Sequence, residues 1–557
     1  MTRSRTPKKT LLIFFLIWMS GILGWSQNKP FDVGNPLEVA PALSGNYGEL
    51  RPNHFHGGLD IKTGGQEGLN VHTVESGYVS RIKISPYGYG KAVYVTHPNG
   101  YTTVYGHLRA LNDSIARYTK RIQYEQKSFA VDVYPGENDL HVLKGDIIAF
   151  SGNTGGSGGP HLHFEVRETE TEVPRNPLLF QFPLNDSKRP IIESVAIKPL
   201  DRGGNISGST TGRHYRATAN SISSNGAITI EGDFGIEVSG YDHQDGSGNK
   251  NGIYKIEAFI DEQRFAAFTA DSIPFSQSRF LNALIDYEYY YQKHVRFIRL
   301  YRLPGNILEN VTYKQNGRLS PEDGGHTIRV IAKDVSGNSS EVEFEVDFKK
   351  LADTPEQKQE MIRWNGDYYF ETDEHQLHIP KGAIYRDEAA NILDGEDFIE
   401  VLNSRIPLQK SIQIKIKSTI EQEGELIARV TKDGRPIRAL QTRREGEWLI
   451  AESRSFGRFG ISHDQTKPQI KSVNFRSGSR LSTREVVFQI KDNLSGIESF
   501  RVLANNQWIL AEYDPKRARL SFFTDDLPKS PEAQELMVEV IDMARNVATF
   551  EGTFINP

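Results

Sequence analysis

The chain of 557 residues contains no cysteine. That absence excludes a disulfide scaffold, a thiolate metal site, a cysteine nucleophile and a lipidated N-terminal cysteine, so any metal must be held by His, Asp or Glu. Cations are not in excess either. Lys and Arg number 66 against 71 Asp and Glu, for a formal charge of -5, and no basic footprint for nucleic acid is present. Long apolar runs are missing beyond the first 26 residues, which excludes a multispanning helical membrane protein. What remains, 25 % charged and 37 % hydrophobic, is ordinary for folded, soluble material. The length calls for three or four domains rather than one core.

Arg3, Arg5, Lys8 and Lys9 precede the apolar run 11–19, which Ile22 and Leu23 continue before Gly24-Trp25-Ser26. This is the order of a secretory signal peptide, residues 1–26, with cleavage after Ser26. An uncleaved anchor is the alternative, for which the run is short. Cleavage removes four cations and no anion and takes the charge from -5 to -9. The expected location is the periplasm or cell envelope.

A glycine-rich stretch, 152–160, runs straight into His161-Leu-His163-Phe-Glu165-Val-Arg167. Leu162, Phe164 and Val166 share one parity while His161, His163 and Glu165 share the other, the signature of a strand with one buried face. Two imidazoles on one face can place one nitrogen on a metal and leave the other for a proton or a reacting oxygen. The plainer reading is two polar surface residues. Pro160 and the strand behind it exclude a phosphate loop, which needs a helix there.

Upstream, His56 and Asp60 stand four apart, but Gly57-Gly58 between them makes a helix improbable, so a bent strand or turn must converge them. His54 competes with His56 as a ligand. Residues 77–105 read as a meander of short strands, with His97-Pro-Asn99-Gly100 as a hairpin turn and His97 structural. His107 follows the last of these strands. Between Asn112 and Lys127, Ile115, Tyr118 and Ile122 recur at helical spacing with Asn112 or Asp113 as cap.

Taken together, His56-x3-Asp60, Tyr105-Gly-His107-Leu108 and the loop from Gly152 to His161-Leu-His163-Phe-Glu165 resemble the lysostaphin/LytM-type zinc metallopeptidases, which cut peptidoglycan peptides. Gly48, Arg51, Gly77-Tyr78-Val79 and Tyr87-Gly-Tyr-Gly90 extend the match over about residues 40–180. The resemblance implies an antiparallel β-sheet peptidase domain with one zinc ion on His56, Asp60 and His163 and a water in the fourth position. It implies His107 and His161 as base or transition-state stabilisers, and peptidoglycan stem peptides or cross-links as substrate. Two other readings remain: a catalytically inactive relative that binds cell wall or activates another hydrolase, and an envelope or adhesion protein in which the later domains carry the function. The connection 109–142 is longer than the family pattern and is expected on the rim of the cleft.

Beyond Pro183 the texture changes to short alternating runs and turns. Asp186-x3-Pro190-x-Ile192-x-Ser194-Val195 matches Asp464-x3-Pro468-x-Ile470-x-Ser472-Val473, and the copies close on turns ending in Asn338 and Asn546. The expected architecture is therefore mainly β: a peptidase domain at 27–185, immunoglobulin-like sandwiches at 186–350 and 464–557, and a β-rich domain of unnamed fold at 351–463. An envelope protein is the expected partner of these later domains. Asp242, Asp245 and Asn249, and Asp492 with Asn493, suit either calcium or ordinary turn chemistry, and the latter is preferred.

Overall fold

Apolar and polar side chains alternate through most of the chain, and almost every alternating segment pairs with a neighbour to bury its apolar half. In the computed structural model, which describes residues 31–224, 226–352, 360–419 and 422–557, the result is a mainly β protein. The signal segment 1–26 lies outside the described residues.

The first large sheet runs in the order Leu43–Gly45, Leu59–Lys62, His161–Glu168, Tyr101–Gly106, Lys91–Thr96, Gly77–Ile84, Val131–Val133. Its pairings are antiparallel. A three-stranded sheet of Asn70–His72, Ile147–Phe150 and Ala110–Leu111 lies beside it. The strand His161–Glu168 sits inside the large sheet, and residues 162–167 are buried on both faces. The expectation of one buried face is thus corrected. Leu162, Phe164 and Val166 enter the core as the alternation requires, but Arg167 lies over the ring of Phe275, 4.6 Å from its centroid. That aromatic cover comes from a distant part of the chain.

The connection 109–142 contains an α-helix, Asp113–Gln126, capped by Asn112, whose side chain accepts from Ile115 N. Ile115 is buried, and Tyr118 and Ile122 pack half-buried against the same core, with Thr119 and Gln123 buried beside them. The face is wider than the apolar spacing because Thr119 and Gln123 donate to the backbone oxygens of Ile115 and Phe129, at 2.8 and 2.6 Å, which permits their burial. The other side of the helix meets the end of the chain: Tyr124 packs edge-on to Trp508 at 5.2 Å and Lys120 pairs with Asp526.

Three further pairs of sheets follow. A four-stranded sheet around Ile191–Pro199 and Phe234–Tyr241 accompanies a seven-stranded one around Gly324–Lys333 and Ser339–Lys349. Three short helices between Phe275 and Lys293 are inserted there. Two five-stranded sheets share the core of Leu377, Ile414, Ile427 and Phe459. A four- and a five-stranded sheet then share the core of Phe488, Phe522, Val538 and Phe554.

The last two cores are separate, but the first two are not. A continuous apolar cluster runs from Phe31 and Phe164 to Phe268 and Phe348. Phe55 stacks on Phe268 at 6.5 Å, and the Tyr47 hydroxyl donates to Pro174 O at 2.8 Å while accepting from Ile273 N at 2.7 Å. An apolar seam of this kind couples the two units into one cooperative body. Phe268→Ala should therefore cost about 3–5 kcal/mol and raise amide exchange together in His161–Glu168 and Lys255–Ile260. Faster exchange in the second strand alone would show that the units unfold independently.

Candidate metal centre

Register builds the site. In the antiparallel ladder His163 lies directly opposite Asp60 on one side and Gly106 on the other, and opposed residues project from the same face. His56 sits in the loop just before Leu59–Lys62. That loop must press against the strand, and a Cβ at Gly58 would lie 2.3 Å from Phe164 O, so no other residue fits. His107 adopts φ 58°, a left-handed conformation that turns its ring back over the sheet beside His161, with ring centroids 4.8 Å apart.

His56 Nε2, His163 Nδ1 and Asp60 Oδ1 form a triangle with sides of 3.0, 2.9 and 3.0 Å. His161 Nε2 stands 3.3 Å from the same carboxylate oxygen and has no hydrogen-bond partner among the described residues. His56, Asp60 and His163 are buried, at 3, 5 and 3 % exposure, whereas the His161 side chain keeps 13 %. His54 is exposed and turns Nδ1 to Pro52 O at 2.9 Å, so it takes no part. His97 is buried between Ser76 O and Thr103 Oγ1 and is structural.

The outer nitrogen of each site imidazole faces an acceptor. His56 Nδ1 lies 2.7 Å from Asn46 O, His107 Nδ1 2.8 Å from Thr154 O, His161 Nδ1 2.8 Å from Gly159 O, and His163 Nε2 2.7 Å from Glu165 Oε1. Those nitrogens therefore carry the hydrogens, and in the neutral rings the inner nitrogens present bare lone pairs. Two lone pairs and a carboxylate about 3 Å apart repel one another unless a positive charge sits among them. The donors of a tetrahedral zinc, at about 2.0–2.1 Å from the ion, stand about 3.3 Å apart, so the triangle fits a zinc-sized dication with little adjustment. The donor set, two imidazoles and one carboxylate with a side left open, is that of a catalytic rather than a structural site.

Without a metal, a proton on His163 supplies that positive charge. Burial alone would raise the Asp60 carboxyl, but the facing imidazoles of His56, His161 and His163 hold it well below its ordinary range. Burial lowers His56 to about 4 and His107 to about 3. His163 is raised to about 9, because Asp60 and Glu165 on its two nitrogens outweigh burial. Glu165 is wholly buried and still ionised, held at about 2 against desolvation by Arg167, His163 and the Tyr89 hydroxyl. Arg167 Nε donates to Glu165 Oε2 at 2.7 Å, and Arg51 donates to Asp60 Oδ2.

Residues 54–127 match the family model of peptidase family M23. The N-terminal domain thus resembles the M23 peptidases. Residues 359–464 match a Zu5-like domain, which supplies a fold description for the β-rich stretch that the sequence left unnamed. The M23 domain is similar to the DD-carboxypeptidase/endopeptidase Mpg of Neisseria meningitidis serogroup B, 31 % identical over 113 residues, 20 % of each chain. It is also similar to an uncharacterized metalloprotease of Haemophilus influenzae, 34 % identical over 136 residues, 24 % of this chain and 22 % of that one. The chain thus spans about a fifth of the length of these curated relatives. Among solved structures, the catalytic domain of lysostaphin from Staphylococcus simulans is 25 % identical, covering 24 % of this chain and 88 % of its own at a TM-score of 0.18. A zinc containing peptidase from Vibrio cholerae is 25 % identical over 26 and 39 % at 0.20.

All five residues singled out in the sequence, His56, Asp60, His107, His161 and His163, are gathered in the M23 domain. The supporting shell was not read there. Glu165 and Arg167 share the parity of His163 and were open to that reading, and Arg51 and Tyr89 lie in stretches already matched. Asn46, Thr154 and Gly159 act through backbone carbonyls, which carry no side-chain signature.

The end of the chain also reaches this site. Lys516 Nζ donates to Asn153 O at 2.6 Å and Ser157 O at 2.9 Å, in the glycine loop, and Lys91 pairs with Glu512 at 2.8 Å. Because the loop carries the carbonyls that aim His107 and His161, Lys516→Ala should speed amide exchange across residues 152–159 several-fold and leave the cores unchanged. Equal exchange in both proteins would reduce this contact to a passing surface bond.

Proposed function

We propose that the chain is an exported zinc-dependent endopeptidase that hydrolyses peptide cross-links in bacterial peptidoglycan, for cell-wall remodelling. The observation that carries this reading is the convergence of His56, Asp60 and His163 to about 3 Å within an M23 domain. The name DD-carboxypeptidase/endopeptidase of the Neisseria relative is in keeping with the reaction class. Export rests on the N-terminal sequence pattern, and the stem peptides of the cell wall are its consistent substrate.

In this reading His56, Asp60 and His163 hold the zinc, Glu165 fixes the ring of His163, and Arg51 holds the outer oxygen of Asp60. When bound, zinc acidifies the attacking water and polarises the scissile carbonyl. His107 and His161 keep Nδ1 as donors to Thr154 O and Gly159 O, so each presents Nε2 to the reacting atoms. One nitrogen accepts a proton from the attacking water and the other, once protonated, donates to the developing oxyanion. The presence of all five side chains favours this reading over an inactive, wall-binding relative.

Metal analysis of the full chain, coupled to mass spectrometry of digested peptidoglycan, tests the proposal. About one zinc per chain is expected, lost in His56→Ala, Asp60→Ala and His163→Ala, because a three-ligand site cannot spare one. His107→Ala and His161→Ala should keep the metal and the fold while turnover falls roughly 100-fold or more. Full zinc occupancy in the first three variants, or wild-type turnover in the last two, would refute these assignments.

A further inference from the structure

The peptidase reading leaves three carboxylates, two buried and one half-buried, unused at the seam between the M23 domain and the first sandwich. Asp186, Asp242 and Asp334 bring one ligand atom each to within 4.8 Å of one another. They line a cavity of about 40 Å³ together with Asn46, Asn176 and Gln244. Asp242 is 2 % exposed and Asp334 5 %. The Oδ1 of Asp242 has no hydrogen-bond donor among the described residues.

A carboxylate oxygen buried without a partner is costly to ionise, and burial together with the two carboxylates beside it pushes Asp242 up to about 8. The nearby amides relieve the trio in part, Gln244 Nε2 donating to Asp242 Oδ2 at 3.4 Å and Asn338 donating from N and Nδ2 to the two oxygens of Asp334 at 2.8 and 2.7 Å, but none reaches Asp242 Oδ1. Asn46 spends its amide on Gly252 N and O, at 2.8 Å each, and Asn176 donates to Ala270 O. The nearest cation, Lys188, places Nζ on Gln244 O and Ser247 O. The cavity exceeds the space one water needs. Oxygen ligands of calcium, at 2.3–2.6 Å from the ion, stand up to about 5 Å apart, which matches the spacing of the trio.

We propose that Asp186, Asp242 and Asp334 bind a hard divalent cation of the calcium class in this cavity. This reading departs from the turn chemistry expected for Asp242 and separates it from Asp245 and Asn249. Asp245 accepts from Ser187, and Asn249 Nδ2 donates to Ser44 O. The trio comes instead from three separated stretches, two of which, at Asp186 and Asp334, are marked by the internal repeat. The matching trio of the last domain, Asp464, Asp492 and Asp542, is not included. There two members have both oxygens taken, Asp464 by Thr466 N and Ser495 N and Asp542 by N and Nδ2 of Asn546, whereas in the seam trio only Asp334 does.

The position gives the ion a structural consequence. Asn46 joins the M23 domain to Gly252 of the sandwich through its side chain and holds His56 Nδ1 through its carbonyl. An ion on the three carboxylates therefore braces the seam from which His56 is aimed. The inference does not rest on the peptidase reading, and its test reads cation binding rather than hydrolysis.

Calcium chloride titrated into the full, zinc-loaded chain in calcium-free buffer is the test, read by calorimetry and by melting temperature. Wild type should bind calcium with a dissociation constant between about 10⁻⁶ and 10⁻³ M and melt at a higher temperature with the ion present. Asp242→Asn should weaken that binding at least tenfold and abolish the rise in melting temperature, whereas Asp492→Asn should retain both. If Asp242→Asn fails to fold, Asp186→Asn at the half-buried corner decides in its place. No calcium response in wild type, or an undiminished one in the folded Asp242→Asn or Asp186→Asn protein, would overturn the proposal.

Discussion

The site depends on one constraint, that the outer nitrogen of each of its four imidazoles is committed as a donor to an oxygen. Asn46 O, Thr154 O, Gly159 O and Glu165 Oε1 take those hydrogens. The inner nitrogens of His56, His161 and His163 then converge on Asp60, and a proton on His163 or a metal cation among them relieves their repulsion. Side-chain chemistry supplies the ligands, but it is the backbone around them that fixes the tautomers. Three of the four acceptors are carbonyls in turns or loops, which explains why so much of the domain is organised around close approaches such as Gly58 against Phe164 O.

Those turns are in turn held by the rest of the chain. Asn46 is tied to Gly252, the strand carrying His163 is covered by Phe275, and the glycine loop is gripped by Lys516. The later β domains are therefore more than appendages carried behind a peptidase. They contribute walls and fastenings, and the continuous core from Phe31 to Phe348 makes the first sandwich and the M23 domain one mechanical unit. The long connection 109–142 belongs to the same scheme, because its helix is spent on the contact with Trp508 and Asp526.

The site residues and their strands were legible in the sequence because both depend on local pattern. Period-two alternation set His161 and His163 on one face, the glycines ruled out a helix at His56, and family spacing joined them. Burial of that face was not legible, since the aromatic cover over Arg167 arrives from more than a hundred residues away. The helix face was legible at Ile115, Tyr118 and Ile122 but not at Thr119 and Gln123, which could be buried once their polar groups had backbone acceptors. The carboxylate trio at the seam was hidden for a related reason: Asp186, Asp242 and Asp334 lie roughly 50 to 150 residues apart in the chain and only the sheet packing brings them together.

Zinc K-edge X-ray absorption of the full chain tests the central claim most directly, because it reads the ligands rather than the consequences of losing them. The account predicts four nitrogen and oxygen neighbours at about 2.0–2.1 Å, with the outer scattering of two imidazoles. Three or more imidazoles around the ion would place His107 or His161 among the ligands, and a chain that holds no zinc would contradict the account altogether.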